Sequence, residues 1–252
     1  MINQKTEEQL KNIRIACQIV AETHAEIKKH IKPGITTLEL DKIAYDFIIS
    51  KGGYPSCLGY EGYPNSICAS VNQVVVHGIP NDYKLKEGDI IGIDLCVCYK
   101  GFHGDAARTH FVGNVSESKR KLVEVTRECF FEAIKDLKAG DRVGKISNAV
   151  ESHAKKHGYG IVRELVGHGV GLAMHEDPQI PNYGSKESGP LIPSNSVLAI
   201  EPMINMGKAA VRLLADDWTV VTMDGRPSAH YENTVIVTND GVEILTLMEE
   251  EK

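Results

Sequence analysis

The sequence lacks the features that would place the protein in a membrane or outside the cell. No apolar run approaches the roughly 20 residues that a membrane-spanning helix requires. The N-terminal stretch, residues 1–11, is polar and charged, and it has no apolar core of the kind found in a secretory signal. We therefore expect a protein that resides in the cytoplasm and does not interact with membranes.

Cysteine is too scarce for a disulfide scaffold. Six cysteines are spread over 252 residues, and no two of them form the paired CxxC pattern of a zinc site. We expect free thiols or small buried residues at Cys17, Cys57, Cys68, Cys96, Cys98 and Cys129.

An excess of positive charge is also absent. The 28 Lys and Arg residues are outnumbered by 34 Asp and Glu residues, so the chain has no basic footprint for nucleic acid. No coiled-coil heptad or apolar stripe calls for a partner chain, and we expect a monomer. The 42% of hydrophobic residues can build a sizeable core, and we expect a single domain over residues 1–252.

Apolar spacing predicts two pairs of helices. Apolar residues three and four positions apart predict a helix over residues 7–29, and a second helix follows from the capping residue Thr36 to Gly52. A second pair is predicted over residues 118–137 and 143–158.

The breaks in these helices recur at a fixed offset. Gly34 and Gly140 lie 106 positions apart, and so do Gly52 and Gly158. Such a period is far longer than that of a solenoid, so it indicates two fused half-domains, at about residues 5–113 and 114–248.

Strand-like runs follow each helix pair. Residues 90–99 alternate apolar and polar side chains, a turn follows, and residues 105–112 return as the second strand of a β-hairpin. In the second half, residues 196–204 and 231–238 are β-rich, with a short strand at 219–223 between them. We predict an α+β fold, with helices outside a largely antiparallel sheet and with internal pseudo-symmetry.

Acidic residues occur inside these strands. Asp94 lies on the face opposite the apolar side chains, the turn would place Asp105 roughly across from it, and Glu201 and Glu232 repeat the arrangement. Facing carboxylates are destabilising unless a metal, a basic residue or a shared proton neutralises them. Arg108 is the closest basic residue in sequence, and two divalent cations would neutralise all four carboxylates.

Histidines supply nitrogen ligands to the same region. His168 lies among glycines, whose small size would let the imidazole approach a metal. His77 and His175 recur in matched contexts, each followed by proline three residues later. A site of four carboxylates and one imidazole suits manganese, iron or cobalt, and zinc less exclusively.

Together these segments resemble the type I methionine aminopeptidases of bacterial form. The resemblance covers essentially the whole chain and implies the pita-bread metallopeptidase fold, with two pseudo-symmetric halves. It also implies removal of the initiator methionine from nascent proteins, near the ribosome, when the second residue is small and uncharged. The segments that carry it are Asn72–Pro80, Gly92–Asp94, Gly104–Asp105, Gly167–Gly171, His175–Pro178, Ala199–Pro202 and Tyr231–Thr234.

The resemblance implies a role for each site residue. Two divalent ions (cobalt, manganese, iron or zinc) would activate a water molecule, and Glu201 would shuttle its proton. His175 would stabilise the oxyanion, and His77 would hydrogen-bond the scissile amide or the leaving nitrogen. Asp94 and Asp105 would hold one metal, and Asp105, His168, Glu201 and Glu232 the other, with Glu232 bridging.

The resemblance also implies a methionine pocket, although ordinary core packing explains the same aromatic residues. Its members would be Cys57, Tyr60, Tyr63, Cys68, Met174 and Trp218. Met174, Leu172 and Val166 depart from the residues common in the family, which affects the expected selectivity for the second substrate residue. A monovalent cation is implied more weakly at Asn72, Val74 and Ser228.

Two other classes share the fold. Prolidases and X-Pro aminopeptidases carry the same five ligands but usually have an additional N-terminal domain, for which the residues before His77 leave little room. A metal-free binding module, or a metal-free hydrolase of the creatine-cleaving type, has no reason to keep all five ligands and both auxiliary histidines. We therefore expect a methionine aminopeptidase.

Overall fold

The computed structural model describes residues 2–251, over which the chain forms four α-helices and fifteen β-strands. The helices are α1 (Glu7–His30), α2 (Thr37–Ser50), α3 (Glu117–Ile134) and α4 (Val143–Lys156). The strands are β1 (Tyr54–Pro55), β2 (Cys68–Val71), β3 (Val74–Val76), β4 (Ile90–Tyr99), β5 (Phe102–Phe111), β6 (Gly160–Ile161), β7 (Gly167–Gly169), β8 (Glu176–Ile180), β9 (Ser196–Ile200), β10 (Met203–Asn205), β11 (Val211–Leu213), β12 (Val220–Thr222), β13 (Ser228–His230), β14 (Glu232–Val237) and β15 (Val242–Ile244).

An antiparallel sheet forms the centre of the molecule. Its strands follow the order β1-β4-β5-β14-β9-β7-β8, with β2 also paired to β4 and β15 to β14. Two smaller sheets, β13-β10-β6 and β11-β12-β3, accompany it. Helix α1 packs on β4 and β5, whereas α3 and α4 pack on each other and on strands of the second half. The predicted α+β fold is confirmed.

Capping boxes begin both helices of the first half. The Thr6 hydroxyl accepts a hydrogen bond from Gln9 N while the Gln9 side chain accepts one from Thr6 N, and Thr36 and Glu39 repeat the arrangement. Each box satisfies backbone donors that would otherwise lack a partner at the helix start. Within residues 2–251, no helix combines the length and apolar character that crossing a bilayer demands.

The predicted duplication is visible in the backbone. Helices α2 and α4 have the same length, and their first and last residues are both related by the offset of 106. Gly34 and Gly140 have φ values of 95° and 92°, and Gly52 and Gly158 have 77° and 76°. Because side-chain-bearing residues rarely adopt such values, each half uses glycine at the same two turns.

Two strand predictions need correction. The run at 196–204 is divided between β9 and β10, which belong to different sheets, because Pro202 has no N–H to continue the ladder. The second strand of the hairpin, predicted to begin at Asp105, begins at Phe102, although the turn falls at Lys100 and Gly101 as expected. The register places Asp105 two positions from the residue across from Asp94: Asp94 pairs with Ala107, and Asp105 pairs with Cys96.

The core has one large cluster in each half. The first lies where α1 and α2 cover β4, and it includes Val20, Leu40 and Ile93. The second lies where α3 and α4 cover β9 and β14, and Phe130 is its largest fully buried side chain. A smaller cluster joins α1 to β9 and β14, through residues such as Ile13, so α1 packs against both halves.

Candidate metal centre and substrate cleft

The register of the sheet brings acidic residues of both halves together. Asp94 of β4 is opposite Ala107 of β5, and Ala107 is opposite Glu232 of β14. Residues directly opposite in antiparallel strands point to the same face, and Asp105, two residues away from Ala107, points to it as well. Asp94, Asp105 and Glu232 therefore share one face of the central sheet.

His168 and Glu201 complete the group from the next strands. Nε2 of His168 lies 3.6 Å from Oε1 of Glu201 and 4.0 Å from Oδ2 of Asp105. One ligand-type atom from each of Asp105, His168 and Glu232 lies within 4.8 Å of the others. The structure thus brings together all five residues that the sequence analysis selected as metal ligands.

The tautomer of His168 is set by its backbone. Its Nδ1 lies 2.9 Å from the carbonyl oxygen of Gly169, so Nδ1 carries the proton and donates it to this carbonyl. Nε2 then presents a lone pair toward the carboxylates. Burial lowers the pKa of His168 to about 4, which keeps the ring neutral near pH 7.

Glycines flank His168 for a reason that the sequence analysis did not anticipate. A Cβ at Gly167 would lie 2.6 Å from the carbonyl oxygen of Ala199, and one at Gly169 would lie 2.1 Å from that of Asp177. Strand β7 lies between β9 and β8, so these glycines permit close packing of three strands. The contacts at these glycines therefore concern strand packing, and they do not test the expectation that small neighbours let the imidazole approach a metal.

Asp105 and Glu232 are buried, Asp94 and Glu201 are partly buried, and no Lys or Arg of residues 2–251 forms an ion pair with any of the four. Burial raises the pKa of Asp94 to about 6 and that of Glu201 to about 8. Burial, followed by the neighbouring carboxylates, raises the pKa values of Asp105 and Glu232 well above their usual range. Arg108 does not neutralise the group, because its guanidinium donates to the Glu232 carbonyl, to Asn233 and to Glu251.

These observations fit divalent metal ions. Oδ1 of Asp105 is buried and has no hydrogen-bond partner among residues 2–251, which is costly for a carboxylate oxygen unless a cation faces it. Four carboxylates and one imidazole form an oxygen-rich donor set with a neutral nitrogen, as divalent first-row metals prefer. The donor set therefore fits the metals that the sequence analysis expected.

The acidic group opens into a cleft of about 590 Å³. Tyr63 and Trp218 meet edge to face with ring centroids 5.1 Å apart, and His77 lies 6.2 Å from the Trp218 ring. The five predicted ligands and both auxiliary histidines line this cleft. So do all the residues predicted for the methionine pocket, which are Cys57, Tyr60, Tyr63, Cys68, Met174 and Trp218.

Burial keeps the two auxiliary histidines neutral, and neighbouring aromatic side chains contact their rings. Burial, with the nearby His230 and His175, lowers the pKa of His77 to about 4, and burial also lowers the pKa of His175. Nδ1 of His175 lies 2.9 Å from the Tyr60 hydroxyl. His77 has a φ of 57°, a strained value for a residue with a side chain, as is often found at functional sites.

The sequence analysis missed His230. Its Nε2 is buried, lies 3.4 Å from Oε2 of Glu201 and forms no hydrogen bond within the described part of the chain. The residue precedes Glu232 by two positions, and this spacing could have identified it, because alternate residues of an extended segment share a face. Of the residues that depart from the family pattern, Val166 lines the cleft, whereas Leu172 is exposed.

Two of the three residues predicted for a monovalent cation are adjacent. Ser228 N donates to the carbonyl oxygen of Asn72 at 2.8 Å, and the Ser228 hydroxyl donates to Ile204 O at 3.2 Å. The side-chain oxygen of Asn72 accepts a hydrogen bond from Nζ of Lys119. Val74 pairs with Val221 in the neighbouring strand. The cation site itself stays a prediction.

Comparisons with known proteins agree with this geometry. A model of metallopeptidase family M24 matches residues 11–239. "Methionine aminopeptidase 1" of Bacillus subtilis is 51% identical over 246 residues, which cover 98% of this chain and 99% of the relative. The crystal structure of methionine aminopeptidase from Rickettsia prowazekii superposes with a TM-score of 0.96 at 42% identity, covering 98% of this chain and 100% of that one.

A prolidase shares the fold at greater distance. The prolidase from Pyrococcus furiosus superposes with a TM-score of 0.80 at 24% identity, and the match covers 98% of this chain but 66% of the prolidase. At that identity the likeness concerns the fold alone. The chain belongs to metallopeptidase family M24, and within it to the type I methionine aminopeptidases of bacterial form.

Proposed function

We propose that the protein hydrolyses the N-terminal initiator methionine from nascent polypeptides whose second residue is small and uncharged. The observation that carries the proposal is that four carboxylates and His168 line the same cleft as Trp218 and other apolar or aromatic side chains. The identity of 41% to 51% with proteins named methionine aminopeptidase supports the same substrate.

The proposed ligands of two divalent metals are the five residues described above. Asp94 and Asp105 would hold one ion, and Asp105, His168, Glu201 and Glu232 the other, so that Asp105 and Glu232 would contribute to both. Bound there, the ions would polarise the scissile carbonyl and lower the pKa of a water molecule so that it can attack at neutral pH. The candidate ions are cobalt, manganese, iron and zinc.

Glu201 is the proposed proton shuttle. Its carboxylate lies in the cleft beside His168, where it would face the attacking water, and a carboxylate so placed can act first as general base and then as general acid. It would accept a proton from the attacking water and pass it to the leaving amine. Its Oε1 faces His168 and its Oε2 faces His230, so both oxygens have a defined orientation.

The auxiliary histidines act on the other side of the scissile bond. If the Tyr60 hydroxyl donates to Nδ1 of His175, then Nε2 of His175 carries a proton that it can donate to the developing oxyanion. His77, neutral and close to Trp218, would hydrogen-bond the leaving nitrogen. Both roles require neutral rings, as burial provides.

The pocket residues explain the preference for methionine. Tyr63 and Trp218 form an edge-to-face pair, and the sulfur-bearing Cys57, Cys68 and Met174 lie in the same cleft. An unbranched thioether side chain contacts such a lining favourably. We also propose that Asn72, Val74 and Ser228 bind a monovalent cation, which would have a structural role.

The proposed setting follows from the substrate. We infer a monomer whose half-domains span about residues 5–113 and 114–248. It would reside in the cytoplasm, act near the ribosome and bind no nucleic acid itself. Light scattering of the purified protein measures the oligomeric state. A dimer at micromolar concentration would contradict this part of the proposal.

Release of free methionine tests the function. Metal-stripped protein is resupplied with manganese, iron, cobalt or zinc and given Met-Ala-Ser, Met-Leu-Ser or an X-Pro peptide. We expect metal-dependent cleavage of Met-Ala-Ser, little cleavage of Met-Leu-Ser, and loss of activity in Glu201→Gln. Preferential cleavage of the X-Pro peptide would instead favour a prolidase-type enzyme, and no cleavage with any metal would favour a binding module.

A further inference from the structure

A second group of metal-ligand side chains lies outside the cleft. Glu128 of α3, His153 of α4 and His157, which caps the C-terminal end of α4, each offer a ligand atom within 4.8 Å of the others. None of the three lines the cleft. We propose that they form an accessory site for a borderline transition-metal ion such as Zn²⁺, which joins α3 to α4.

The helical spacing explains how the two imidazoles meet. His153 and His157 are four residues apart, so they lie on the same face of α4, one turn from each other. Their ring centroids are 4.8 Å apart. This arrangement presents two nitrogen donors from a single rigid element, and it requires no rearrangement of the backbone.

Glu128 approaches the pair from the neighbouring helix. Its Oε2 lies 2.9 Å from Nε2 of His153. An ion bound between the rings would replace this hydrogen bond with two coordinate bonds, one to the carboxylate and one to the imidazole. Three protein donors would then be present, and water would complete the coordination.

The donors distinguish this site from the cleft. Two imidazoles and one carboxylate are softer than the four carboxylates and one imidazole of the cleft, so they favour Zn²⁺, Co²⁺ or Ni²⁺ over Mn²⁺. Because Zn²⁺ binds most such sites more tightly than Mn²⁺, a large excess of Mn²⁺ is needed to keep the cleft filled while Zn²⁺ occupies the accessory site.

The site is accessible to solvent, but nearby lysines disfavour the binding of a cation. None of the three side chains is fully buried, so an ion can enter without opening the fold. Lys121 and Lys156 lie close enough to disfavour positive charge at His157. We therefore expect moderate affinity, weaker than that of a structural zinc site with four protein ligands.

Zinc binding by the manganese-loaded protein tests the proposal. Bound zinc per chain and Tm are measured for the wild type, His157→Ala and Glu128→Gln, with increasing Zn²⁺ in the presence of excess Mn²⁺. The matched control is His30→Ala, because His30 also lies at the C-terminal end of a helix and near a glutamate, Glu26, but has no second imidazole one turn away.

We expect the wild type and His30→Ala to bind one more zinc per chain than the two site variants do. Because an ion that binds only the folded state stabilises it, saturating Zn²⁺ should also raise their Tm by roughly 5 °C more. Equal zinc binding and equal Tm shifts in all four proteins would overturn the proposal. Methionine release with Mn²⁺ should be unchanged in His157→Ala, so this result is independent of the proposed function.

Discussion

At the scale of single residues, the hydroxyls of Tyr60 and Tyr63 have different roles, although the two tyrosines lie three positions apart in the sequence. The Tyr63 hydroxyl lies 3.0 Å and 3.1 Å from the carbonyl oxygens of Ile67 and Gly78, which share its one proton, and the residue is buried. The Tyr60 hydroxyl faces Nδ1 of His175 at 2.9 Å. Tyr63 therefore joins segments of the backbone, whereas Tyr60 sets which ring nitrogen of His175 carries the proton.

Removing the two hydroxyls should separate catalysis from stability. In Tyr60→Phe, His175 loses the partner of its Nδ1, so we expect kcat to fall about tenfold, less than the 10²–10³-fold that removing an oxyanion donor costs. KM for Met-Ala-Ser should change little. In Tyr63→Phe, we expect kcat to be retained and the free energy of unfolding to fall by about 1 kcal/mol. Steady-state kinetics and urea unfolding of both variants measure these effects, and equal kcat values would contradict the assigned role of Tyr60.

His230 should act through Glu201. We expect His230→Ala to lower kcat/KM about 10- to 100-fold, as is usual when a group that orients a metal ligand is removed. The same substitution in the Glu201→Gln protein should have little further effect, because the two residues then act as one unit. Additive losses in the double variant would show that His230 acts independently of Glu201. Circular dichroism of each variant checks that the fold is retained.

At the scale of elements, the approach of α1 to β5 depends on one glycine. A Cβ at Gly104 would lie 2.6 Å from Sγ of Cys17 and 2.7 Å from its backbone nitrogen. The contact with helix backbone cannot be relieved by rotating a side chain. Gly92, in the neighbouring strand β4, has no atom within 3.5 Å of such a Cβ, the nearest being Ser70 Cβ at 3.6 Å.

Alanine at these two glycines should therefore have different effects. We expect Gly104→Ala to lower the free energy of unfolding by about 2–3 kcal/mol, because α1 must move away from the sheet. Gly92→Ala should change it by less than about 1 kcal/mol. Urea unfolding of metal-loaded protein measures both values. Similar losses in the two variants would mean that loss of glycine itself, and not the contact with Cys17, destabilises the sheet.

The elements also show what could be predicted from sequence. Helix bounds followed from apolar spacing and from the cap at Thr36, since both are local signals. The division of residues 196–204 at Pro202 was missed, because apolar composition does not reveal which sheet a strand joins. His230 was missed for a related reason: its contact with Glu201 links positions 29 residues apart, which only the folded sheet brings together.

At the scale of the whole molecule, the cleft opposes stability when no metal is bound. Glu201 ionises with a pKa near 4.5 in the unfolded chain, but burial raises its pKa in the folded chain to about 8. Between these values the folded state holds one more proton than the unfolded state, so stability falls as pH rises. Histidines such as His24, whose pKa values burial lowers, act in the opposite direction, but only up to about pH 6.5.

Chelated protein should therefore lose stability between about pH 7 and pH 8. One proton corresponds to about 1.4 kcal/mol per pH unit, so we expect a loss of about 1 kcal/mol from Glu201 and a further loss from Asp105 and Glu232, whose pKa values are also raised. Urea unfolding at the two pH values, with a chelator present, measures the loss. It should be smaller in Glu201→Gln, which has no carboxyl at that position, and absent in metal-loaded protein, because bound cations keep the carboxylates ionised in the folded state. Stability that is constant or rises with pH in chelated wild-type protein would contradict this account of the cleft.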